Sequence, residues 1–210
     1  MNVPVLLALI GFGSGAPSPD YRAELGARYA AEVRRLGSSG QLEAAMKRAA
    51  EVEAQVGPFV QVRYEAALAR NQAGAIRAAI EAYGQVLALD PDHVGALYDR
   101  GELLLVAGTT ADRVTARRDL EHAEALRPDH WAVPYRLALL AAQDQDSIEM
   151  ANALTRALRN GLELGLIGTD PAWDPILRGD RTGPALMRFV RTYGSDDLVN
   201  ELEQRTGTSP

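Results

Sequence analysis

The feature that most constrains the fold is a turn written twice. Asp90-Pro91-Asp92-His93 and Arg127-Pro128-Asp129-His130 are near copies, 37 residues apart. Self-similarity at a period of roughly 20–50 residues marks stacked supersecondary units. Counting back from Pro91 as repeat position 32 places Ala67 at position 8, Gly74 at 15, Ala79 at 20, Tyr83 at 24 and Val86 at 27. The next copy carries Gly101 at 8 and Gly108 at 15. After three extra residues, Ala116, Leu120, Ala123 and Pro128 fill 20, 24, 27 and 32. A third copy gives Ala138, Met150, Leu154 and Ala157 at 8, 20, 24 and 27, and an upstream copy gives Gly40, Ala45 and Val52 at 15, 20 and 27. The extra residues, near 109–115, are expected to lengthen a turn inside one repeat.

From Asp20 onward apolar residues recur at three- and four-residue spacing, the mark of amphipathic helices. Glycine and proline punctuate the pattern, which predicts helices over 21–36, 41–55, 60–72, 75–88, 94–107, 112–126, 131–142 and 147–160. Pro134 falls in a first helical turn, where a missing N–H costs little. Asp146 and Glu149 are spaced as a capping box. Beyond residue 164 the pattern changes. Residues 170–175, with Pro171 and Pro175, are expected to be extended, because proline drives the preceding residue out of the helical region. Helices follow over 184–193 and 195–205.

Small residues at 8 and 20, a bulky one at 24, a small or apolar one at 27 and proline at 32 form a pattern that resembles the tetratricopeptide repeat family. Its physical basis is that two helices approach closely only where small side chains cross. Proline then ends the second helix. The first and third copies depart at position 32, with Gly57 and Leu162. The resemblance implies an all-α, right-handed α-solenoid of about four helix-turn-helix repeats within residues 21–164, framed as 26–59, 60–93, 94–130 and 131–164. The stretch Asp170-Pro171-Ala172-Trp173-Asp174-Pro175 resembles the tail of some bacterial arrays. Gly179-Asp180-Arg181-Thr182 replaces the tail's usual continuation. Residues 165–205 are assigned as a helical cap and 206–210 as a disordered tail, since solenoid ends need a polar-faced cover.

Composition narrows the function. The chain has 210 residues, no cysteine, and 28 Asp+Glu against 22 Lys+Arg, for a net charge of −6. Without cysteine there are no disulfides, thiolate zinc sites or thiol nucleophiles. The acidic balance argues against a nucleic-acid partner, which selects a basic face. The apolar run over residues 3–12 is too short to span a bilayer. Residues 1–16 read as a signal peptide, with Gly13 and Gly15 at the small-residue positions of a cleavage site, although no Lys or Arg precedes the run. That reading implies export to the periplasm or beyond; a cytoplasmic location is the alternative. Gly11-x-Gly13-x-x-Ala16 also matches a dinucleotide fingerprint, but Pro17 and Pro19 oppose the helix that must follow.

Catalytic constellations are weak. His93 and His130 share one repeat position and read as turn residues, while His122 lies on a charged helix face between Glu121 and Glu124. No metal or cofactor is expected, since ligands must converge in threes and fours. Asp144-x-Asp146 opens like a calcium loop but lacks the later ligands. Asp170, Asp174 and Asp180 read as helix caps. Arg34-Arg35 and Arg117-Arg118 are flanked by acids and read as solvated faces.

The resemblance places partner contacts on the concave face of the first helices. The residues so assigned are Arg34; Tyr64, Leu68 and Asn71; Tyr98, Asp99 and Glu102; and Tyr135, Arg136 and Leu139. Tyrosine recurs at position 5 in three repeats. Its broad ring and hydroxyl suit a peptide groove, and equally suit packing between neighbouring first helices. A grip on chaperone C-termini is not expected, because among the corresponding positions only Arg136 has the right chemistry and Asp99 would repel a carboxylate. The expected function is a non-enzymatic scaffold holding a partner peptide or helix. The alternatives are a structural module that self-associates through repeat ends or its convex face and, more remotely, a hydrolase using Asp170 and Asp174.

Overall fold

The computed structural model describes residues 19–206. The segment read as a signal peptide lies outside them, as do residues 207–210. The described residues are helical throughout, with no strand among them. No helix among them is long and apolar enough to cross a membrane. The chain divides into two compact units, the first ending at Leu103 and the second beginning at Leu104.

The N-terminal unit contains α1 (Pro19–Ser38), α2 (Leu42–Val56), α3 (Val60–Gln72), α4 (Ile76–Leu89) and most of α5 (Val94–Ala107). Helix α1 packs along α3, and α3 along α4. A core between α1, α2 and α3 joins Ala30, Val33, Ala45, Val52, Phe59, Val62, Ala66 and Ala69. The C-terminal unit continues with α6 (Thr110–Leu126), α7 (Ala132–Gln143) and α8 (Ser147–Arg159). It ends with α9 (Gly165–Thr169), a 3₁₀ turn (Pro171–Trp173), α10 (Asp174–Leu177), α11 (Thr182–Tyr193) and α12 (Asp196–Thr206). Helix α7 packs on α6 and α8, α11 packs on α8, and α12 packs on α9 and α11. The helices expected over 60–72 and 94–107 occupy those spans, and the other six of the repeat region differ by at most two residues at an end.

The register places its small and bulky residues where helices cross. Ala67, Gly101 and Ala138 at position 8 are buried, as are Ala45, Ala79, Ala116 and Met150 at 20. So are Tyr83, Leu120 and Leu154 at 24, and Val52, Val86, Ala123 and Ala157 at 27. Interiors at crystal-like density tolerate no added volume at such crossings. Ala79→Leu is therefore expected to destabilise by about 1–3 kcal/mol, while the same change at the exposed Ala78 falls within about 0.5 kcal/mol. Equal urea midpoints for the two variants would mean that the register is misplaced.

Three of the turns inside the repeats share one geometry. The N–H of Gln41 donates to Leu36 O, that of Ala75 to Arg70 O and that of Asp146 to Ala141 O. Each closes over a residue with positive φ: Gly40 at 76°, Gly74 at 73° and Gln145 at 61°. This is the hydrogen-bond pattern that satisfies carbonyls at a helix C-terminus, and it normally selects glycine. Gln145 is the non-glycine residue among the described ones that adopts it.

Three expectations are corrected. The three extra residues near Gly108 do not lengthen a turn. Only Gly108 and Thr109 separate α5 from α6, and the added residues extend the start of α6. Ala116 is its seventh residue, whereas Ala45, Ala79 and Met150 are the fourth residues of their helices. The cause is a complete capping box: Thr109 accepts from Asp112 N–H at 3.1 Å and Asp112 accepts from Thr109 N–H at 3.3 Å. The expected box at Asp146 is only half made. Asp146 accepts from the N–H groups of Ile148 and Glu149. Its own N–H is already taken by Ala141 O, and Glu149 pairs instead with Arg156. Residues 170–175 are not extended beyond Asp170. Its carboxylate caps the 3₁₀ turn through Ala172 N–H at 3.0 Å. Pro171 and Pro175 then occupy initial helical positions, which need no N–H.

Candidate partner-binding face

Two of the three tyrosines at position 5, Tyr64 and Tyr135, are engaged within the protein. Tyr64 on α3 donates its hydroxyl to Asp99 Oδ2 on α5 at 2.8 Å. Its ring lies 4.6 Å from that of His93 and 6.0 Å from that of Tyr83. Burial, reinforced by the Asp99 charge, holds the Tyr64 phenol far above its ordinary pKa, so it stays a donor. Burial likewise raises the Asp99 carboxyl, against the lowering effect of its tyrosine hydrogen bonds.

The same joint recurs in the C-terminal unit. Tyr135 on α7 donates to Asp170 Oδ2 at 2.9 Å and accepts from Trp173 Nε1 at 2.8 Å. Both tyrosines reach an aspartate 35 residues downstream, so Asp170 stands where the first helix of another repeat would supply its counterpart of Asp99. Arg136 Nη1 joins Asp170 at 3.1 Å. Sequence reading treated Asp170 as a helix cap and did not see this second role. The signal was present in the identical Tyr-to-Asp spacing.

These contacts sort the assigned residues. Tyr135 is 1% exposed and Leu139 2%, so neither offers a face to a partner; both belong to the interior. Arg34 is exposed, but its Nε and Nη2 both donate to one oxygen of the buried Glu65, at 2.9 and 2.6 Å. It is thereby the counter-ion of a carboxylate that could not be buried alone. Tyr64, Asp99 and Arg136 are half-buried and engaged as described. Leu68, Asn71, Tyr98 and Glu102 are half-buried on α3 and α5.

His93, His130 and Asp174 have structural partners. His93 Nδ1 accepts from Ala96 N–H at 3.1 Å and His130 Nδ1 from Ala132 N–H at 3.2 Å, each bonding the start of the following helix. Asp174 pairs with Arg205. Among the described residues no group of three or more His, Asp or Glu is placed to hold a metal ion.

No protein-family model matches this sequence, and no curated protein sequence matches it. Solved structures share the fold. MamA, from residue 41 to its end, from Desulfovibrio magneticus RS-1 is 20% identical, with a TM-score of 0.59 over 87% of this chain and 94% of that one. A tetratricopeptide repeat protein from Parabacteroides merdae is 13% identical, with a TM-score of 0.64 over 87% and 74%. A thermophilic tetratricopeptide repeat protein of Thermus thermophilus is 17% identical, with a TM-score of 0.54 over 84% and 98%. The chain has a tetratricopeptide-repeat-like, all-α fold.

Proposed function

We propose that this protein is a non-enzymatic interaction scaffold that holds an extended peptide or a helix of a protein partner against the first helices of its repeats. The observation that carries the reading is a strip of mixed chemistry in the N-terminal unit. Leu68 and Asn71 on α3 and Tyr98 and Glu102 on α5 remain half-exposed after Tyr64 and Arg34 are engaged within the fold. Apolar, aromatic, amide and carboxylate groups on rigid helices are what a peptide groove needs, since preorganised anchors lower the ordering cost of binding. The C-terminal stretch serves this scaffold as a cap, a role supported by the packing of α11 on α8 and of Trp173 on Tyr135.

The test is a double variant, Leu68→Ala with Tyr98→Ala, compared with the full chain for recovery of binding proteins from extract of the source organism. Losing two anchors of this kind is expected to weaken a partner by a factor of about 100, with far-UV circular dichroism unchanged. A partner retained equally by both forms would move the interface off these helices. Tyr135 is unsuitable for this test, because its truncation would damage the core.

A further inference from the structure

A cavity of about 120 Å³ lies on the other side of α3 from Leu68 and Asn71, within the N-terminal unit. Residues 62, 63, 66 and 70 share one face of the helix, and 64, 68 and 71 the opposite one. The cavity is a slot. Met46, Ala49 and Ala50 of α2 line it together with Ala66 of α3, and Ala82 and Gln85 of α4. Alanines on all three helices keep it open, and its surface is polar and apolar in about equal measure.

Two guanidinium groups and the Glu53 carboxylate also line the slot. Arg63 pairs with Glu53 through Nη2, but its buried Nε has no acceptor among the described residues. Arg70 is half-buried, and Nη1 donates to the carbonyl of Ala66 on its own helix at 3.1 Å. No carboxylate among the described residues pairs with it, and burial alone lowers its pKa. Arg70 differs in this from Arg48, Arg63, Arg113, Arg117 and Arg156, which are also half-buried and each meet an acidic side chain. A partly desolvated cation with no carboxylate partner is held at a cost that an anion would relieve.

We propose that the slot is a binding site for a carboxylate carrying a small branched apolar group. The carboxylate pairs with Arg70, whose planar fork matches its geometry. The apolar group lies on Ala49, Ala66 and Met46. A free branched-chain acid and the C-terminal residue of a protein chain share this chemistry. The site is independent of the scaffold face, being lined by different residues of α3.

The test titrates the full-length, ¹⁵N-labelled protein with isovalerate, with isovaleramide, and with the peptide acetyl-Ala-Ala-Leu in free-acid and amide forms. The expected result is saturable movement of the amide signals of residues 62–70, at roughly millimolar Kd for so small a ligand. Arg70→Gln should weaken binding about tenfold or more, the scale of one charge-assisted hydrogen bond. Ala50→Phe should abolish it by filling the slot from its exposed wall, without touching either arginine. Saturation by isovalerate identifies the free acid as sufficient. Saturation by the free-acid peptide alone identifies a chain terminus. Binding of the uncharged amides at equal strength, binding unaffected by both variants, or no saturable movement with any probe overturns the proposal.

Discussion

Replacing Trp173 with alanine is expected to destabilise the C-terminal unit by about 3–5 kcal/mol. The indole is fully buried, and its ring centroid lies 5.9 Å from that of Tyr135. Its Nε1 donates to the Tyr135 hydroxyl, which donates in turn to Asp170. Alanine would therefore remove the largest side chain of the extension and leave a cavity. It would also strip a buried hydroxyl of its donor, which adds to the cost. Trp173→Phe keeps most of the volume and loses only the hydrogen bond, so it should cost distinctly less. Urea unfolding followed by circular dichroism separates the two. An alanine variant within about 1 kcal/mol of the parent would show that the extension contributes little to the unit it lies on.

The second large effect is at Leu154. With Tyr83 and Leu120 it occupies the repeat position between helices, and all three are fully buried. Leu154→Ala should cost about 2–5 kcal/mol. Leu89→Ala and Leu126→Ala, at residues 40% and 36% exposed, should cost less than about 1 kcal/mol each. The contrast matters because all three are leucines on second helices, and only their register distinguishes them. Comparable losses in unfolding free energy at all three would refute the assignment of position 24 to the interior.

The parts of the fold readable from sequence were those set by local chemistry. Helix spans followed from periodicity. The crossings followed from alanine and glycine at fixed offsets, and the role of His93 and His130 from their shared place after Pro-Asp. Asp170 could be recognised as a cap because proline follows it. The candidate face was only half legible. Whether a position-5 tyrosine faces a groove or the next helix depends on what stands 35 residues away, and for Tyr135 that is Asp170 and Trp173 outside the repeat pattern. Arg34 looked free because its partner, Glu65, lies 31 residues on and one helix over. Leu139 shares its periodicity with half-exposed neighbours, so only the assembled unit decides its burial. Spacing alone puts the insertion near Gly108 in a turn; the Thr109–Asp112 pair puts it in the helix.

That insertion has a consequence for how such chains change over evolutionary time. Three residues added at a helix start amount to about five-sixths of a turn, roughly 4.5 Å of rise. They displace nothing downstream, because counting toward the crossing runs from Ala116 and not from the cap. A gene can thus gain or lose close to one turn at this edge while every stacked contact keeps its phase, provided a Thr-x-x-Asp pair moves with the new terminus. Period length in an array of this kind is a loose variable; what selection must preserve is the distance from crossing residue to helix end on the side away from the cap.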